Sequence, residues 1–177
     1  MPQPEPWLRG PLAGVSPLVA NLIYTFTQAR EELGTAVEGL SVEEIWMRPH
    51  GLASVGFHIR HLGGAAERLG CYLRGNLLTA EQLADLKREN QSGMDGVELL
   101  AEMSVRLERV EHYVRSMDPA TLEQTKEVGR GRLPSTAIGL IVHIAEHTQR
   151  HLGQAITTVK LVRSLRDNAG STSLGGG

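Results

Sequence analysis

Three histidines recur at intervals of four in the stretch HIAEHTQRHLGQ, residues 143–154. On a helix of ~3.6 residues per turn, His143, His147 and His151 share one stripe, and Gln154 turns back onto it. Two imidazoles four residues apart on one helix can bind the same divalent ion. The metalloprotease pattern H-E-x-x-H is not present, because Glu146 precedes His147 instead of following the first histidine. The same stripe would serve equally for hydrogen-bonded core histidines, and spacing alone leaves both readings open. A further histidine, His61, lies with His58 in SVGFHIRHL, residues 54–62.

Those residues need helices to hold them, and the chain spells out four long ones. Ser16-Pro17 is an N-cap followed by a favourable first helical residue, and Leu18, Leu22, Phe26, Ala29, Leu33 and Val37 follow at helical spacing to about Gly39. Ser41 with Glu44 forms a capping box for a short helix that must stop before Pro49. Ser54 caps a long helix to about Arg74, with Phe57, His58, His61, Ala65, Leu69 and Tyr72 inward. Gly63-Gly64 in its middle costs about 1 kcal/mol per glycine and implies close approach of another helix. Thr79 with Gln82 opens a short charged helix to about Asn90, read as a surface excursion. Asp95 with Glu98 opens the third long helix, carrying Val97, Leu100, Ala101, Leu107, Val110 and Val114 inward to Met117. Residues 124–133 are polar and glycine-punctuated, a loop with a short extended turn. Ser135 or Thr136 caps the last long helix, which carries the histidine stripe to about Leu165.

The pattern is all-α: a four-helix bundle with short extra helices in the connections, whose sites are built from side chains on facing helices. Residues 1–15 read as an extended N-terminal arm with Trp7 and Leu8 docking on the body, 16–166 as the domain, and 167–177 as a disordered Ser/Gly-rich tail.

Bulk properties exclude several function classes. A formal charge of -2 and a pI near 6.4 lack the basic footprint of a nucleic-acid partner. The prolines and glycines of the first fourteen residues do not fit a signal peptide, and no apolar run approaches a membrane span. A cytoplasmic protein with no membrane partner is expected. Cys71 is the single cysteine, so a multi-thiolate zinc site within the chain is excluded and any metal must be held by His, Asp or Glu.

Together, LSVEEIWMRP (40–49), SVGFHIRHL (54–62) and HIAEHTQRHLGQ (143–154) resemble the DinB/YfiT-like superfamily of metal-binding four-helix bundles, over roughly residues 17–162. The resemblance implies a divalent metal held by His61, His147 and His151, with His143 as a supporting neighbour. Three imidazoles leave a coordination position open, as catalytic rather than structural zinc sites do. All-nitrogen ligation suits zinc or nickel first, then manganese or iron. An open site can acidify a water or take a thiol as thiolate, and the resemblance implies a low-molecular-weight-thiol S-transferase acting on a small-molecule substrate. A small metal-dependent hydrolase and a non-catalytic, metal-stabilised helical stress-response or interaction module are the alternatives.

Around that site, His58, Gln154, Glu146 and Arg68 are pocket candidates. Arg68 is the first choice to meet an anionic substrate, and Glu146 is the carboxylate that could orient an imidazole. The resemblance also implies a homodimer, with Val15, Leu18 and Leu22 as contributors.

Overall fold

The structure, a computed structural model, describes residues 3–173, and in the last helix it describes side chains as far as Asn168. Six α-helices are present among these residues: α1 (Pro17–Ala36), α2 (Val42–Trp46), α3 (Val55–Leu73), α4 (Ala80–Arg88), α5 (Gly96–Arg115) and α6 (Ala137–Ser173). Their starts follow from the caps. The Ser16 side chain accepts from Leu18 N, Ser54 accepts from Phe57 N, and Ser41, Thr79 and Asp95 each close a full capping box. Thr136 Oγ1 accepts from Gly139 N and caps α6.

Helices α1, α3, α5 and α6 form the bundle. Helix α3 packs on α5 and α6, and α1 packs on the same two from the other side. Phe26, Leu22 and Leu33 of α1, Ile59 and Leu62 of α3, Leu99, Met103 and Leu107 of α5, and Ile141 and Ile144 of α6 are fully buried in one core. Each contributes roughly 1.5–3 kcal/mol by burial. Gly63 admits the closest approach: a Cβ there would lie 3.0 Å from Met103 Cα of α5. Gly64 differs, since its missing Cβ would meet side chains, Arg68 and Glu89, and no neighbouring backbone.

Several expectations need correction. The inward face of α5 begins at Leu99 and Met103, while Val97 and Ala101 are exposed; the seam is set by α5 resting on Gly63, and the first turn stands outside it. Leu18 is 64% exposed, whereas Leu22 lies wholly in the core and offers nothing to a pairing surface. In the N-terminal arm, Trp7 and Leu8 point outward and Pro6 is the buried residue of a 3-10 turn. That arm is tied down by the Arg9–Glu31 pair and by Tyr24, whose hydroxyl donates to Gly10 O.

The 124–133 loop forms an antiparallel hairpin with its flank, β1 (Thr125–Val128) and β2 (Leu133–Thr136), with Thr125 opposite Thr136. Gly129 and Arg132 turn it with positive φ of 72° and 49°. Helix α6 runs to Ser173, through residues assigned to the tail, because no proline interrupts it there. Residues 174–177 of that tail lie outside the described residues. The later part of α6 is functional in the fold: Arg163 Nη2 donates to the Ala36 and Glu38 carbonyls, satisfying the C-terminal end of α1.

Candidate metal centre

The site lies where α3 faces α6. His58 neighbours His151 and His61 neighbours His147, so the two helices pass antiparallel here. The ring centroids of His61 and His151 are 4.4 Å apart, of His147 and His151 4.6 Å, and of His61 and His147 5.1 Å. One ring nitrogen from each of the three lies within 4.8 Å of the others.

Hydrogen bonds select which nitrogens those are. His61 Nδ1 is 2.7 Å from Glu89 Oε2, so a proton on Nδ1 is donated to the carboxylate and the Nε2 lone pair is left free. His151 Nδ1 is 3.1 Å from His58 Nδ1; with His151 as donor, its Nε2 is free in the same way. Phe57 stacks on His61 at 5.2 Å and 16° between planes, and meets His58 edge-on at 5.4 Å.

Charge state also favours ligation. Burial, followed by the proximity of His61, His143 and Arg150, pushes His147 down to about 4. Burial, with His61, His147 and His58 nearby, pushes His151 down to about 3. Both rings are therefore neutral near pH 7 with lone pairs available. His58 is lowered too, by burial and then by His61. The donor set fits a divalent ion: three nitrogen ligands, two of them oriented from behind, with His147 and His151 carrying no proton that must be shed at neutral pH.

The other candidates sort by position. His58 is buried and in contact with His151. His143 is half exposed, 5.8 Å from His147, and its Nδ1 lies 3.3 Å from Glu146 Oε2. Glu146 is thus engaged with His143 and Arg150 and orients none of the three central rings. Gln154 is exposed and lines a cleft of about 590 Å³ beside the site, with Leu52, Ala53, His58, Gln149 and Arg150. Arg68 is buried behind His61, where its Nη2 lies 2.7 Å from Glu89 Oε1. That contact is an ion pair outside hydrogen-bond angles, and it removes Arg68 from the role of substrate anchor.

Glu89 is the residue that sequence reasoning missed, because α4 was read as a surface excursion. It is 3% exposed, and although burial alone would raise its carboxyl, the His61 hydrogen bond and the Arg68 charge hold it below its ordinary value. One sequence signal was available: an acid at a helix C-terminus sits against the helix dipole and calls for a partner elsewhere.

Comparison with known proteins agrees with this architecture. A search among curated proteins finds no match. Among solved structures, the fold is similar to that of YfiT from Bacillus subtilis, described as "a probable metal-dependent hydrolase with an unusual four-helix bundle topology". The TM-score is 0.62 at 16% sequence identity, covering 88% of this chain and 93% of that one. The family model of the DinB superfamily matches residues 25–155, a span that holds all three histidines, and the chain belongs to that superfamily.

Proposed function

We propose that this protein is a divalent-metal-dependent enzyme that activates a low-molecular-weight thiol for attack on a small electrophile. The observation that carries the reading is the convergence of His61, His147 and His151 from two helices, with His147 and His151 held neutral. A divalent ion bound there would supply Lewis acidity, lowering the pKa of a thiol or water in its remaining positions.

The chain's own residues favour the thiol. Glu89 is committed to His61 and Arg68, and Glu146 to His143 and Arg150. Neither carboxylate is placed to take a proton from water. A thiol starts at a pKa of about 8.5 and needs no such base. The neighbouring cleft has largely apolar walls, with Leu52 and Ala53 on one side and the α6 surface on the other. Gly153 lines it too, with nothing within 4 Å of its missing Cβ, and Gln149, Gln154 and Arg150 offer polar contacts. Such a cleft suits a molecule with an apolar body and a few polar groups.

Hydrolysis by the same centre is the second reading, favoured by the description of the structural neighbour. The test is turnover by protein purified without an affinity tag and loaded with zinc or nickel. Small thiols with alkylating or epoxide electrophiles form one panel, and esters and amides without thiol the other. Thiol-dependent loss of electrophile, abolished by chelation and by His147→Ala, supports the transferase. Ester or amide cleavage without thiol moves the assignment to a hydrolase. Full metal occupancy with neither reaction, together with a lower melting temperature on chelation, would make the ion a structural clamp and overturn the enzyme reading.

A further inference from the structure

We propose that α4 is the arm that sets the metal affinity of this centre, with Glu89 as a positioning residue for His61 and Arg68 as the group that holds Glu89. The inference rests on the three-histidine reading above.

Helix α4 places none of its residues in the core. The one buried side chain it delivers is its C-cap, Glu89. Burying a carboxylate is costly unless it is paired and hydrogen-bonded, so the position calls for a function that a surface helix lacks. Both oxygens are engaged: Oε2 lies 2.7 Å from His61 Nδ1 and Oε1 lies 2.7 Å from Arg68 Nη2.

The backbone around Glu89 is fastened as well. Arg60 Nη1 donates to the Arg88 and Gln91 carbonyls, 3.1 and 2.6 Å away, on either side of Glu89. The Arg60 guanidinium itself sits 4.9 Å over the Trp46 ring. At Gly64, a Cβ would come within 2.8 Å of Arg68 Nη1 and 2.9 Å of Glu89 Oε1. A mid-helix glycine costs about 1 kcal/mol relative to alanine; here it clears the space that the ion pair occupies.

These features together fix the His61 ring before any ion arrives. The carboxylate accepts the Nδ1 proton, directs Nε2 toward His147 and His151, and strengthens it as a donor. Arg60 and His61 lie one position apart on α3, so one turn of that helix both anchors the arm and receives its carboxylate.

The experiment compares wild type, Glu89→Ala, Glu89→Gln and Gly64→Ala, all without an affinity tag. Zinc affinity is measured by competition with a chromogenic chelator, and the His61 tautomer of the metal-free protein by 15N NMR. In wild type, His61 should be a single Nδ1–H tautomer. Glu89→Ala should lose that signature and bind zinc about 100-fold more weakly, and Glu89→Gln, which keeps an acceptor of the same shape, about 10-fold more weakly. Gly64→Ala should fall between them. If Glu89→Ala fails to fold, Glu89→Gln decides. Unchanged affinity and an unchanged tautomer in both would overturn the proposal. Absence of zinc binding by wild type would sink the three-histidine reading instead, and the metal-free tautomer would still decide whether Glu89 positions His61.

Discussion

Acidifying the metal-free protein should destabilise it well above the range where carboxylates titrate. His147 and His151 stand at about 4 and about 3 in the folded protein, against 6.5 for the free side chain. Between those values the unfolded chain binds protons that the native chain refuses, so stability falls as pH drops through 6.5 toward 4. At pH 5 each ring could contribute up to ~2 kcal/mol, since one pKa unit is worth about 1.4 kcal/mol. Both rings are only partly buried and each shift includes repulsion from the other imidazoles, so solvent screening and shared terms cut the pair to about 2 kcal/mol in total. For a domain of this size that is a fall in Tm of about 4–8 °C. The assay is thermal melting in chelator at pH 7 and pH 5, with His151→Gln in parallel, which should show roughly half the fall. A Tm that is flat or rises toward pH 5 would refute the claim that these rings are held neutral by their surroundings.

Three further outcomes are expected. Gly63→Ala, whose Cβ would lie 3.0 Å from Met103 Cα, should cost about 1–3 kcal/mol in urea unfolding through overpacking. An unchanged midpoint would mean that α3 and α5 part without strain. His58→Leu removes the hydrogen bond to His151 Nδ1 while keeping an apolar filler, and should weaken zinc binding about 10-fold with little change in apo stability. Competition titration and melting curves check the two halves separately. Arg163→Met frees the Ala36 and Glu38 carbonyls and should lower stability by about 1 kcal/mol, read by urea unfolding; no change would show that water replaces the guanidinium at no cost.

Local rules carried much of the fold. The capping residues Ser16, Ser41, Ser54, Thr79 and Asp95 are short-range signals, and each marks the helix start observed. The seam of α5 was misplaced in its first turn because Val97, Leu99 and Leu100 are all apolar, and which of them faces inward depends on where α3 rests. The hairpin was legible only as a turn, since Lys126, Pro134 and Ser135 carry no alternating apolar pattern. At the site, the sequence motifs and the family resemblance single out His61, His147 and His151, whose ring nitrogens the fold brings within 4.8 Å of one another, and His143 stands outside that cluster, half exposed on α6. Their environment was not legible: His58 against His151 and Glu89 beneath His61 are contacts across 93 and 28 residues. Periodicity within one helix carries no information about such pairs.

The most direct test of the three-histidine centre is metal content by elemental analysis of protein purified without an affinity tag, for wild type and single histidine variants. About one equivalent of a divalent transition metal per chain is expected in wild type and in His143→Ala, falling below about a tenth in His61→Ala, His147→Ala and His151→Ala. Wild type below a tenth of an equivalent after metal supplementation, or content unchanged by His147→Ala, would contradict it.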